Sequence, residues 1–174
     1  MNPFEKIKFM VLAAAIICPT FTACDNNADD DIIETDATSA ATYVAGTFSG
    51  DCKTVVYTAT IDETQEFTIT MQEDGTFTLT TPSITYTQMG TTIPSFTVSG
   101  TKAEQTTLND VTIYQLSATN YAGEVEVDGS TKTYTVSQLS IAISKADSTA
   151  AINYTFNYGK MPFPVEVSFA GKKN

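Results

Sequence analysis

The sequence predicts an all-β fold: one antiparallel meander of about eight to ten strands closed into a barrel, with a two-sheet sandwich as the runner-up. Three observations predict it. Apolar residues recur at every second position through most of the chain. Polar turn signals fall roughly every ten residues. Threonine fills many of the intervening positions, where a β-branched polar side chain suits a half-exposed strand. No amphipathic helix of useful length breaks the pattern.

Taken in order, Tyr43–Gly50 (YVAGTFSG) opens the domain. Val55, Tyr57, Ala59 and Ile61 share a parity and read as one strand turned by Asp62-Glu63. Gln65–Thr81 is the clearest hairpin. Phe67, Ile69 and Met71 alternate with threonines, Asp74-Gly75 reads as a type I′ turn, and Phe77 and Leu79 return. Pro82 edges or ends that strand because it donates nothing to a ladder. Ile84 and Tyr86 precede a turn at Gly90, and Phe96 and Val98 lead to Gly100. Residues 101–109 read as a polar connection. Val111, Ile113, Tyr114 and Leu116 carry apolar groups on both faces of the next strand, and Val125 and Val127 enter a second Asp-Gly turn at Asp128-Gly129. Tyr134 and Val136 then give way to Leu139, Ile141 and Ile143. The parity slips at Ser137-Gln138, which predicts a β-bulge there. After a turn at residues 146–149, Ile152, Tyr154, Phe156 and Tyr158 alternate. Residues 159–164 (GKMPFP) form a loop or edge, and Val165, Val167 and Phe169 make the last strand.

Charge excludes whole classes of function. The 174-residue chain carries a formal net charge of −11, its basic residues are all Lys, and it has no His or Trp. Nucleic-acid binding needs clustered cations to displace phosphate counterions, and none are present. Without His, Ser-His-Asp and Cys-His catalysis and His-ligated metals are excluded. An acidic chain also repels anionic headgroups, so membrane attachment has to be covalent or hydrophobic.

The N-terminus supplies such an attachment. Lys6 and Lys8 precede the apolar run Phe9–Cys18, which is too short to span a bilayer. The following Pro19–Cys24 resembles a bacterial lipoprotein cleavage box, with Ala23 before an acylated Cys24 and Phe21 where Leu is usual. An ordinary secretory signal cut near Ala23 is the alternative. Cleavage before Cys24 leaves seven Lys against nineteen acids, a mature charge of −12. Each buried CH₂ of an acyl chain contributes about 0.8 kcal/mol, so a multiply acylated Cys24 holds the protein on a membrane. The expected organisation is a signal peptide over 1–23, an acidic tether over 24–41 and a barrel over 42–174. Asp29-Asp30-Asp31 in the tether lacks the alternation and glycine of a calcium loop. Acidic residues soon after Cys24 resemble the surface-export signal of Bacteroidetes lipoproteins. Cys52 is left without a disulfide partner, and Asp51 beside it disfavours the thiolate.

Taken together, YVAGTFSG, the Thr-rich meander, SITYTQMGTTIPSFTVSG and the GKMPF…VSFAGKK ending resemble the calycin-like β-barrel lipoproteins of Bacteroidetes, over roughly residues 42–173. The resemblance implies a lipocalin-like barrel and an outer-membrane lipoprotein facing the periplasm or the cell surface. It supplies no settled biochemical role. The Gly-x-Trp of true lipocalins appears only as Gly46-Thr47-Phe48, and their Arg partner has no counterpart.

Few residues qualify as a site, and no catalytic residue, metal ligand or cofactor is indicated. Glu124 and Glu126 share a strand face, but Val125 and Val127 between and beside them read as core-directed, so the pair faces water. Tyr57, Tyr86, Tyr114, Tyr134, Tyr154 and Tyr158 are candidates to line a small apolar or amphipathic ligand inside the barrel, or else are ordinary core. Asp147-Ser148-Thr149 resembles a Bacteroidetes O-glycosylation site, with Ser148 the acceptor in an exposed turn. The Asn153-Tyr154-Thr155 sequon falls inside a strand and reads as chance. The expectation is a non-catalytic, lipid-anchored envelope barrel that binds a small ligand. The alternative is an envelope accessory or adhesion protein with a filled core, acting through its outer surface and loops.

Overall fold

A computed structural model of the chain describes residues 37–87 and 90–174. Cys24, the expected signal peptide and most of the expected tether lie outside the described residues. The order is α1 (Ala37–Val44), β1 (Gly46–Val56), β2 (Ala59–Met71), β3 (Phe77–Thr80), β4 (Ile84–Tyr86), β5 (Thr91–Ile93), β6 (Thr97–Thr101), β7 (Glu104–Leu108), β8 (Val111–Val127), β9 (Ser130–Ser144), β10 (Thr149–Tyr158) and β11 (Val165–Lys173). Nine strands form one antiparallel sheet in the order β6-β3-β2-β1-β11-β10-β9-β8-β7, and β4-β5 form a separate hairpin. The sheet curls into a half-barrel, the all-β meander that the alternation predicts. Among the described residues no helix is long and apolar enough to cross a membrane.

The meander closes on itself in the middle, where β1 pairs with β11 from Phe48↔Lys173 to Val56↔Val165. Directions alternate across the nine strands, so the outermost two, β6 and β7, run the same way, joined only through Lys102 and Ala103. They are two halves of one path that pairs first with β3 and then with β8. An extra residue on β6 around Ser99-Gly100, with Gly100 at φ 78°, bends the path between its partners. Counted this way the curled sheet has eight staves, one of them split. Where the split leaves the outer edge of β6 without a backbone partner among the described residues, Tyr134 from β9 lies over Gly123 of β8 and donates its hydroxyl to the Thr97 carbonyl at 2.6 Å. A side chain at 123 would collide with that ring, so Gly123 is what lets Tyr134 reach the β6 edge.

Local chemistry explains most elements and corrects several expectations. The predicted bulge is present: β10 pairs Thr155↔Gln138 and then Phe156↔Val136, leaving Ser137 as the extra residue, with its hydroxyl on the Thr155 carbonyl at 3.1 Å. Tyr134, Val136, Leu139, Ile141 and Ile143 are consequently all buried. The two Asp-Gly turns differ. Asp128-Gly129 has φ of 50° and 72° in a two-residue loop, a type I′ turn. At Asp74-Gly75 only Gly75 has positive φ, 79°, and a three-residue loop with a glycine bulge forms instead. The Asp74 carboxylate accepts from Thr76 N and Thr76 Oγ1 (3.0 and 2.7 Å), which fixes Asp74 outside the left-handed region.

The strand expected over 55–61 is two strands. The chain turns at Tyr57-Thr58, with Val56 opposite Ala59, and Tyr57 takes φ 55°, a conformation rare for a bulky residue and hence invisible to turn signals. The expected connection over 101–109 contains β7, whose five side chains are all exposed. It is held by its ladder to β8 and by a tight turn at Asn109-Asp110 (φ 50° and 63°), so hydrophobic alternation could not reveal it. An unexpected helix, α1, crosses the anticipated boundary at residue 42. Ala40 and Val44, one turn apart, are fully buried, Tyr43 stacks on Tyr114 at 5.7 Å, and Lys173 Nζ bonds the Thr42 carbonyl at 2.9 Å. Too short to show an amphipathic period, it is stabilised by docking on the barrel end.

Candidate functional site

The two faces of the sheet offer very different chemistry. The concave face is packed with rings. Phe67 lies 4.7 Å from Phe169 and 6.2 Å from Tyr154, and Phe96 lies 4.4 Å from Tyr134, 4.9 Å from Phe156 and 6.2 Å from Tyr154. All six are at most 4% exposed. Near the centre, the Tyr154 hydroxyl is buried with no hydrogen-bond partner. Burial, with the Cys52 thiol nearby, pushes its pKa well above the ordinary range, so it stays protonated. Cys52 is a free, buried thiol whose pKa is pushed up to about 11, chiefly by burial, with a Thr54 hydrogen bond opposing and Glu63 and Asp62 reinforcing the rise. It is a structural thiol with negligible thiolate at neutral pH.

The six sequence-selected tyrosines scatter. Tyr114 and Tyr134 are core residues engaged as described above, Tyr154 carries the orphan hydroxyl, and Tyr158 is buried at the end of β10. Tyr86 is on the β4-β5 hairpin, outside the nine-stranded sheet but buried in the same hydrophobic core. Tyr57, placed with the others by parity, is 69% exposed in the β1–β2 turn, because the two-residue loop takes it off the strand. No cluster of three or more His, Cys, Asp or Glu that could hold a metal occurs among the described residues. Glu124 and Glu126 are both exposed, and Glu126 accepts from the Thr131 hydroxyl across the hairpin. Ser148 sits half-exposed at φ 57° in the β9–β10 turn. Beside it the Asp147 carboxylate accepts from Thr149 N and Oγ1. Its partial burial alone would raise the pKa, but bonds from Ser144 and Thr149 hold it below the usual carboxylate value.

The outer face carries what alternation did not single out, a groove of about 850 Å³ across β2, β1, β11, β10 and β9. Its floor is built from small outward residues, Ser140, Ala151, Ser168 and Ala170, while Asp51, Lys53, Asp62 and Glu166 stand along it. A run of small side chains at outward positions on adjacent strands is the signal that was available, but it appears only once the register sets Ala151 beside Ala170 and Asn153 between Ser140 and Ser168. A second exposed feature stands at one end of the half-barrel. The Tyr57 ring stacks on Phe163 of the β10–β11 loop, with centroids 4.4 Å apart and planes 23° from parallel.

The architecture is thus that of an all-β half-barrel with a filled inner face and an open trough of mixed lining on its outer face. No protein-family model and no curated protein sequence matches the chain. Among solved structures it is similar to a Bacteroides fragilis chain provisionally named an outer membrane protein, at 24% identity and a TM-score of 0.54 over 76% of this chain. The likeness covers 52% of that chain, so this protein matches about half of the neighbour's length, and it extends to the fold.

Proposed function

We propose that this protein is a non-catalytic, lipid-anchored module of a bacterial cell envelope that works through its outer surface, with the half-barrel as its scaffold. The observation that carries the reading is the packing of the concave face: rings in mutual contact occupy the space an interior ligand would need, while open volume lies on the outside. That favours the outer-surface alternative over a small apolar ligand held among the tyrosines. The anchor at Cys24 and the calycin-like character are supported by the N-terminal pattern and the closed order of the meander. The name of the Bacteroides fragilis neighbour agrees with an envelope location.

Native mass spectrometry of the full chain, released from detergent, tests the central claim. The expected mass is that of protein plus its acyl groups. A further mass, lost on denaturation, would restore the interior-ligand reading. The anchor is tested separately. Cys24→Ala should abolish fatty-acid labelling and release the protein from membranes, and undiminished labelling would refute it.

A further inference from the structure

We infer that the Tyr57–Phe163 pair is a stacking platform for one ring of a neutral sugar, a site that deepens the outer-surface reading by naming a ligand class for one end of it. Two costs converge at Tyr57. Its ring is 69% exposed, and its backbone sits at φ 55°, a conformation that Gly or Asn would adopt far more readily in a two-residue turn. Strain and exposure held together in one residue call for a use at that residue. Phe163, itself 43% exposed, supports one face of the Tyr57 ring and leaves the other free. Pro162 and Pro164 bracket Phe163 and fix φ on both sides of it, so the support is stiff before any ligand arrives.

The geometry selects the ligand. Near-parallel rings present one flat apolar face rather than the converging walls that enclose an ammonium group. The contact area of two rings is far below the roughly 800 Å² per partner of a stable protein interface. An acidic chain disfavours anionic ligands. The exposed hydroxyls and amide at that end, on Thr58, Thr60 and Asn157, suit the polar rim of a sugar whose ring face lies on Tyr57.

The test is calorimetric titration of the detergent-solubilised full chain with cellotetraose, mannotetraose and chitotetraose. At least one should bind saturably. Phe163→Ala should weaken it about tenfold or more, and Tyr57→Phe should hold it within about twofold. Tyr57→Gly is the decisive variant, because Gly relieves the turn while deleting the ring, so it should keep the wild-type Tm and lose binding about tenfold or more. Absence of binding by all three sugars, binding unchanged in Tyr57→Gly, or displacement of the sugar by choline chloride would each overturn the proposal. The outer-surface reading fails by a different result, an extra mass in native spectrometry without added sugar that Tyr57→Gly still carries, so the two failures are distinguishable.

Discussion

The inner and outer faces of the same five strands, β2, β1, β11, β10 and β9, are built on opposite rules. Inward positions carry Phe67, Phe169, Tyr154 and Phe156, whose rings touch one another. Outward positions between them carry Ser140, Ala151, Ser168 and Ala170, which leave a trough. The backbone is common to both, so the difference lies entirely in the alternation of side chains. It teaches that stability is concentrated on one face, while the other is free to be shaped for contact. Substitutions of equal size should therefore have unequal effects depending only on parity.

The largest effect should come from Phe67→Ala, which opens a cavity among Tyr154 and Phe169 and should cost about 3–5 kcal/mol, read as a fall in the urea midpoint. A loss below about 1 kcal/mol would mean the inner face is loosely packed and would erase the contrast. Next, Gly171→Val should cost about 1–3 kcal/mol. A Cβ at 171 meets the Phe169 ring and the Ser49 backbone, and backbone cannot step aside. Its neighbour Ala170→Val, pointing into the outer trough, should change stability by about 0.5 kcal/mol or less. Equal effects at 170 and 171 would break the parity argument.

The inner face also sets an alkaline limit. The Cys52 thiol rises from 9.0 to about 11 on folding, so the unfolded chain loses its proton first. The stabilising contribution is complete below pH 9 and is lost as pH climbs toward 11. Thermal melts of wild type and Cys52→Ala should converge across that window. A pH-independent gap would show the thiol to be less buried than described.

Two tyrosines of the packed face sharpen the comparison at its smallest scale. Tyr134→Phe removes the bond that holds the unpaired β6 edge and should cost about 0.5–1.5 kcal/mol. Tyr154→Phe removes a hydroxyl that has no partner and should leave stability unchanged or slightly raised. If Tyr154→Phe is the more damaging of the two, a buried water bridges that hydroxyl.

The sequence by itself determined the class of fold, the inward parity of most strands and even the bulge at Ser137, because period-two alternation is a local record of which side faces the core, although Val55 and Met71, grouped with the inward sets, are half-buried and 39% exposed. It determined the chemistry that is excluded, since a chain without His or clustered cations cannot hide them. Only the tertiary structure decided the rest. Asp74-Gly75 and Asp128-Gly129 share a dipeptide but not a turn, because Thr76 captures one Asp side chain. The edge strand β7 and the helix α1 exist because of what they lie against, not because of any periodicity of their own. The outer groove and the Tyr57–Phe163 stack join residues far apart in the chain, and alternation along one strand carries no information about which strand will lie beside it.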